Sequence, residues 1–485
     1  MTDTLIVGGG TAGCVLAARL SEDPNHTVRL LEAGPLWTTP DAIPAALRDA
    51  TRLPLAADAS WLWHYPVRLT DRGGTTNIVR GKVFGGSSAV NGSYFVRATG
   101  ADFAAWAAAV ESSRCWSSDA VLPAYRRSEN DRDFGAQPWH GQSGPIPVRR
   151  TANPAPVSAE FAAACAVEGF PAVADMNAPD GTGDGVGLVP CNTEAGRRVS
   201  TAACYLLPVA ARPNLAVHGS VSVVRILFRG TDAVGVEVLR DGRVETFSAD
   251  RIVLSAGAIE SAAILQRSGI GPAEHLRALD IPIVHPAPVG GWCTDHPEIG
   301  LEYRLSVPEC AAVPLEYVLT IDDIEIRPYT VPFTPGQWRL GVALMRPESA
   351  GVLRLRSADP AVPPAIEYRY LAAEHDRTRL RAAVATATEI IRKMGATACT
   401  DPMPGPPHAA DDWLHANLAT SQHLSGTCRM GPANDDRAVV DELCRVHGVD
   451  GLSVVDLSVV PVPLSRGPQA TTVMIAENVA GFPVR

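Results

Sequence analysis

The stretch from Thr4 to Gly34, "TLIVGGGTAGCVLAARLSEDPNHTVRLLEAG", decides the fold. Leu5, Ile6 and Val7 read as a short, fully apolar strand. Gly8, Gly10 and Gly13 then supply GxGxxG, with Thr11 and Ala12 inside it, and Val15, Leu16, Ala17 and Leu20 give the next helix one apolar face. Thr27 to Leu31 make a second buried strand, closed by Glu32. Glycines let the backbone turn sharply and approach a pyrophosphate. The helix N-terminus offers free N–H groups and a positive dipole end, and Glu32 can accept from ribose hydroxyls. GxGxxG alone is often only a glycine-rich turn. With a strand before it, a helix after it and an acid closing the next strand, it predicts a dinucleotide site. Glu32 would repel a 2′-phosphate, which disfavours NADP and leaves FAD and NAD.

The bulk numbers suit that start. A chain of 485 residues has room for two or three domains with a large core. Hydrophobic residues at 46% and charged residues at 19% are ordinary for a soluble enzyme. A net charge of −10 argues against nucleic acid, and against an anionic membrane surface, as the main partner. The ten cysteines are scattered without CxxC or zinc spacing, so they read as small apolar groups in a reducing compartment, and no metal site is expected. The chain begins directly on a strand with no basic leader, and no apolar run approaches the roughly 18 residues of a spanning helix. The expected location is cytoplasmic, with peripheral contact at the inner face of the membrane left open.

Two later segments choose between the cofactors. In "RGKVFGGSSAVNGSYFVRATGADFAAW" (80–106), Gly85-Gly86-Ser87-Ser88 reads as another helix N-terminus. "SAGAIESAAILQRSGIGP" (255–272) follows the buried strand "RIVLSAG", as a returning Rossmann strand would. On these residues the chain resembles the glucose–methanol–choline (GMC) oxidoreductases, a family of FAD enzymes. The family's first pattern is matched from Gly81 to Phe103, with Phe84 where an aliphatic residue is usual. The second is matched from Gly257 to Gly271, with Ala262 where Pro or Ser is usual. The resemblance covers essentially the whole chain.

It implies an α/β, Rossmann-like FAD-binding domain that is discontinuous, over 1–140, 190–290 and 410–485. An α+β substrate domain with an antiparallel sheet would take 141–189 and 291–409. It also implies that Gly85, Gly86, Ser87 and Asn91 lie against the FAD diphosphate and isoalloxazine. Val223 would meet the adenine through its backbone, and Asp456 would reach the flavin side. Some relatives attach FAD through a histidine at the position held here by Val90, which has no nucleophile, so non-covalent FAD is expected. His423, in "SQHLSGTCRMGP", matches the histidine of the family's HPVGTCRMG-like motif, although Leu424 and Ser425 stand where Pro-Val is common. It would act as the base that takes an alcohol's hydroxyl proton while flavin N5 takes the hydride.

One departure stands out in "PLSRGPQATTVMIAENVAG" (463–481). Relatives place a second His or Asn at the turn before the last helix, and Gly467, followed by Pro468, occupies that place here. Either the position is empty, leaving room for a bulkier substrate, or a neighbour fills it; Ser465, Arg466 and Gln469 are nearest in sequence. "SRGP" before an Ala-Thr helix start also resembles the actinobacterial GMC branch associated with mycofactocin. That branch implies oxidation of mycofactocinol, with electrons passed toward the respiratory chain. Four alternatives remain: a general alcohol- or choline-type dehydrogenase or oxidase, a hydroxynitrile-lyase-like flavoprotein that keeps FAD without redox use, an electron-relay flavoprotein, and an NAD-dependent dehydrogenase, against which the two GMC-like patterns count. Trp61, Trp63 and His64 mark a lid over the flavin or a subdomain core. The segment 372–396 reads as a packed helix with Leu380, Ala383, Ala387, Ile390 and Ile391 inward.

Overall fold

The computed structural model describes residues 2–53, 59–112, 114–179 and 183–482. Its central layer is a five-stranded sheet ordered Leu215–His218, Val28–Leu31, Thr4–Val7, Arg251–Leu254 and Leu452–Val454, in which every neighbouring pair is parallel. Parallel strands are covered on both faces, which is why these segments are apolar runs rather than alternations. Leu5, Ile6, Leu30, Ile252 and Leu254 have no exposed surface.

The register aligns the strand ends. Val7 pairs with Leu31 and with Leu254, and Leu254 pairs with Val454. Gly8, Glu32, Ser255 and Val455 therefore all leave the sheet at one edge. The order reverses direction at the first strand, which opens a crevice beyond the carboxyl ends, the usual ligand position of such sheets.

A second layer is antiparallel. Pro297–Arg304, Gln337–Leu344, Ile324–Thr334 and Tyr317–Ile321 are neighbours in that order. The helix Glu374–Lys393 packs on them through Leu380, Ala383, Val384, Ala387, Ile390 and Ile391. Leu418–Thr420 adds to the edge of Pro297–Arg304 and carries the chain back toward the crevice.

One expectation changes. Gly85 to Ser88 opens not a helix but a single 3-10 turn, Gly86–Ala89. Gly85 at φ +91° and Gly86 at φ +51° are both left-handed, which a right-handed helix start does not permit. The segment around Trp63 is a strand, Leu62–Thr70, paired with Gly73–Gly81. Trp63 lies half-buried beneath the Lys82 ammonium, 4.3 Å from its ring centre. Among the described residues no helix is long and apolar enough to cross a membrane.

The last helix, Gln469–Val479, is clamped to the first, Thr11–Leu20, by one buried acid. Glu477 accepts from Arg19, from Arg127 and from the Tyr205 hydroxyl, the last at 2.6 Å. Both helices thereby bring their N-termini to the crevice.

Candidate active site

The cradle begins at Gly8, whose φ of +97° turns the chain out of the first strand. A Cβ there would lie 2.6 Å from the Ser255 carbonyl oxygen, and one on Gly13 would lie 1.9 Å from that of Gly8. The helix therefore seats on the strand only because both positions lack a side chain. The second glycine turn backs onto the first. Gly85 N–H donates to the Gly9 carbonyl at 2.7 Å, and a Cβ on Gly86 would come within 2.7 Å of Gly10 Cα.

Gly10 caps the first helix without any side-chain bond, and Pro468 does the same for the last, so the leading N–H groups of both remain open to an anion. Between them the Gln469 amide oxygen faces Asn91 Nδ2 at 3.3 Å and Thr11 Oγ1 at 3.5 Å. Its Nε2 is buried with no hydrogen-bond partner. Ala12 is buried behind Thr11, and Ser87 is half-buried beside the turn. An unpaired donor beside two open helix ends and a glycine floor is the donor set a dinucleotide diphosphate requires, so these residues fit FAD.

Glu32 is buried and accepts from Gly9 N–H at 2.7 Å and from Gly34 N–H at 2.9 Å. Burial pushes its carboxyl up to about 7 despite those bonds. Each oxygen keeps a second lone pair for a ribose hydroxyl. Val221 N–H donates to the Glu32 carbonyl, which sets the strand containing Val223 beside the same end of the cleft. Asp456 is occupied within the chain. It accepts from Gly257 N–H at 2.8 Å, the Ser261 hydroxyl at 2.6 Å and Ser458 N–H at 2.8 Å, and so organises the start of the second-pattern helix. Val90 is a buried apolar residue in the 3-10 turn's exit.

His423 sits in a local break of register. Pro297 pairs with Thr420, but the next bridge joins Thr294 to Ser425, so five steps on one strand face three on the other. The surplus bulges, with Gln422 at φ +62°, and pushes His423 out of the ladder. Asp295 pins the bulge. Its Oδ1 accepts His423 N–H at 2.6 Å and His296 N–H at 2.7 Å, and its Oδ2 accepts the Thr420 hydroxyl at 2.7 Å. The two imidazoles then meet, Nδ1 to Nδ1, at 2.8 Å. Desolvation, followed by the neighbouring His296, Arg327 and Arg80, holds His423 well below the usual histidine range, so it is a neutral base.

Around this pair lies a compensated wall. Arg327 is buried and pairs with Glu325 at 2.6 Å and Glu298 at 3.1 Å, and it donates to the Ser421 hydroxyl at 3.0 Å. Tyr329 donates to Glu298 at 3.2 Å. Arg466, 2% exposed, reaches Glu325 at 4.0 Å. The expectation at Gly467 resolves here. The position is not empty: a Cβ on Gly467 would lie 2.8 Å from Tyr94 Cδ1, and the Tyr94 hydroxyl donates to Glu325 at 2.9 Å. None of the sequence neighbours fills the space. Ser465 bonds Asp102 at 2.6 Å, Arg466 donates to the Ser465 carbonyl, and Gln469 joins the cradle.

Asp295, His296, Glu298, Glu325, Arg327 and Tyr94 did not emerge from the sequence. The one available signal was a histidine directly before an alternating strand, "DHPEIGLEYRL", which on its own also describes an ordinary strand start.

Comparison with known proteins agrees with this geometry. A family model described as GMC oxidoreductase matches residues 2–298, and a second with the same description matches 347–476. An uncharacterized GMC-type oxidoreductase of Rhodococcus erythropolis is 46% identical over 494 residues, covering 99% of this chain and 98% of that protein. Mitochondrial choline dehydrogenase of Mus musculus is 34% identical over 537 residues, covering 98% of this chain and 88% of that one. Pyridoxine 4-oxidase from Mesorbium loti superposes with a TM-score of 0.92 at 30% identity, covering 99% of this chain and 98% of that one. A dinucleotide cradle and likeness along the full length place the chain in the GMC oxidoreductase family, the FAD-dependent enzymes acting on CH–OH donors.

Proposed function

We propose that this protein is a dehydrogenase of an uncharged, hydroxyl-rich alcohol, with mycofactocinol as the specific candidate and a respiratory-chain carrier as electron acceptor. The observation that carries the substrate class is the wall beside His423, where Arg327 pairs with both Glu298 and Glu325 and Arg466 approaches Glu325, so that two cations offset two carboxylates. Binding a quaternary ammonium needs an unpaired carboxylate or an aromatic cage. Here the carboxylates are already committed, while hydroxyls on Tyr94, Tyr329 and Ser421 line the same network. That arrangement suits a polyhydroxyl substrate and disfavours choline. Mycofactocinol rests on the "SRGP" resemblance. The room once expected at Gly467 does not support it, because Tyr94 occupies that space.

FAD, held without a covalent bond at Val90, supplies the hydride acceptor. His423 takes the hydroxyl proton, and its low basicity keeps it unprotonated before the reaction. A placed base of this kind contributes about 10²–10⁴ in rate. The test is an anaerobic titration of the yellow holoprotein with mycofactocinol, with uncharged primary alcohols and with choline, following flavin absorbance. Bleaching by mycofactocinol and weak or absent bleaching by choline is the expected result. Equal bleaching by choline would overturn the argument from the wall, and no bleaching by any alcohol would favour a lyase or relay.

A further inference from the structure

A cavity of about 420 Å³ lies behind the glycine turns, outside the crevice described above. None of Gly10, Asn91, Val223, His423 or Asp456 lines it. Its volume falls within the roughly 300–1,000 Å³ of small-molecule sites. Trp37, Ile43 and Leu47 line it from one segment and Ala203 from another, and exposed Arg197 marks its mouth. Phe84 and Ala89, each 4% exposed, are its buried end. Both belong to the turn that fits FAD on its other side. The Phe84 ring lies against Gly9, where a Cβ would come within 2.7 Å of it, and Ala89 packs in one apolar cluster with Val90 and Leu47. One layer of side chains therefore separates the cavity from the cradle.

Arg198 lines the same space and is 4% exposed. Its Nη1 donates to the carbonyls of Leu47 at 2.8 Å and Ala89 at 3.2 Å, and its Nη2 to that of Arg52 at 2.8 Å. Its Nε is buried with no partner. Among the described residues no carboxylate pairs with it. Asp49, whose charge acts on it, is held by Arg52 and Thr51, and Glu194 faces Arg132 at 3.6 Å. Burial lowers its pKa to about 10, which leaves it charged at neutral pH. A buried cation without an acid is costly unless a ligand shares it. Carboxylates grip a guanidinium through two N–H groups of the fork, and most of this fork is spent on the backbone. A carbonyl oxygen needs only one donor.

Resting on the reading that electrons leave for a respiratory-chain carrier, we propose that this cavity is the acceptor site and that its occupant is a quinone, a flat apolar ring bearing carbonyl oxygens, with Arg198 beside one of them. The reduced flavin loses two electrons and two protons, and the quinone gains two of each, its two C=O groups becoming the C–OH groups of the quinol. The Arg198 charge favours the oxygen on which negative charge builds as electrons arrive. Apolar walls accept the ring and exclude charged acceptors of similar size.

The test uses menadione as the quinone and holoprotein throughout. Equilibrium dialysis of the oxidised protein should show saturable binding, with a quench of tryptophan fluorescence that Trp37→Phe removes. In the second arm the flavin is reduced with dithionite, freed of excess reductant and mixed anaerobically with menadione. Reoxidation should saturate with menadione, and Ile43→Trp, which fills the cavity, should weaken binding and slow reoxidation by about tenfold or more. Reduction by an alcohol that bleaches the wild type should be unchanged in that variant. If Ile43→Trp does not retain FAD, Ala203→Leu fills the same space from the other segment. No saturable binding, or equal reoxidation in wild type and filled variant, overturns the proposal. Binding of benzoate but not of menadione makes this an anion site and also overturns it. Because dithionite replaces the alcohol, saturable reoxidation in a protein that no alcohol bleaches would uphold the acceptor site while the substrate reading fails.

Discussion

Replacing Gly467 by alanine tests how the space of the second polar group is used. The new Cβ would lie 2.8 Å from Cδ1 and 3.0 Å from Cε1 of the Tyr94 ring, closer than carbon atoms pack. The ring must shift, and a misfit of one methyl in a packed site costs about 1–3 kcal/mol. Moving the ring also strains or breaks the 2.9 Å bond to Glu325, a charged acceptor, worth about 1.5–3 kcal/mol. The sum is about 2.5–6 kcal/mol. At roughly 2 cal/mol/K per residue, the unfolding entropy of a chain this long is about 1 kcal/mol/K, so the melting temperature should fall by about 2.5–6 °C. Melting of holoprotein at matched FAD is the assay, and increments in Tm are compared because unfolding with a bound cofactor need not be two-state. The decisive comparison is the same substitution in a Tyr94→Val background. If the ring is the obstacle, Gly467→Ala then costs close to nothing, a coupling of at least about 1 kcal/mol. A full penalty in both backgrounds would refute the reasoning, as would a neutral Gly467→Ala in the wild type.

Other outcomes follow from the cradle and from a buried ionic cluster. Gly13→Ala places a Cβ 1.9 Å from a backbone oxygen with nothing flexible to yield, so the purified variant should lack flavin absorbance; a normally yellow protein would contradict the packing. Glu32→Gln leaves one of two backbone donors without an acceptor, at about 1–3 kcal/mol, so FAD titration of the apoprotein should show a loss of about tenfold or more. The Glu32 carboxyl is raised from 4.5 to about 7, so its contribution to apoprotein stability is full below about 4.5 and is lost as pH rises through about 7. The variant should lack that slope. His140 bonds Glu129 at 2.6 Å and Asp175 at 2.8 Å, with Arg97, Arg150 and Asp131 completing a neutral sextet. His140→Gln should cost about 3–5 kcal/mol, read as a lower Tm. Its pairs raise the His140 pKa above 6.5, so that part of the stability is full below 6.5 and fades as pH rises through the raised value. Glu129 is lowered from 4.5 and Asp175 to about 2, so their part is full above about 4.5 and fades as pH falls toward 2. The gap between wild type and variant should therefore be widest from about pH 4.5 to 6.5, and a flat gap would refute the charge assignment.

What could be read from the residues was local chemistry. Leu5 to Val7 and Ile252 to Leu254 announce buried parallel strands because both faces are covered and no alternation is needed. Gly8, Gly13 and Glu32 announce a nucleotide because each does a job with its immediate neighbours, and the packed face of Glu374–Lys393 follows from its period. The turn at Gly85 and Gly86 was misread for a related reason. A glycine pair before Ser-Ser fits a helix start equally well, and only the two left-handed φ values separate the cases.

The parts of the site that escaped are set by register between distant segments. His296 lies 127 residues before His423, and the rings meet because Leu418–Thr420 pairs with Pro297–Ile299 and then slips before Thr294 and Ser425. A slip of that kind leaves no periodic mark, because it depends on which strand is adjacent rather than on which residues follow. Tyr94 at Gly467 is the same case in reverse. The glycine shows that a side chain has been given up, and the chain does not say to whom the volume went. A missing family residue is therefore weak evidence for an open pocket. Packing favours filling a vacated volume, since voids forfeit contacts, and here the ring that fills it also donates to Glu325, inside the network that decides which substrate charge the site accepts.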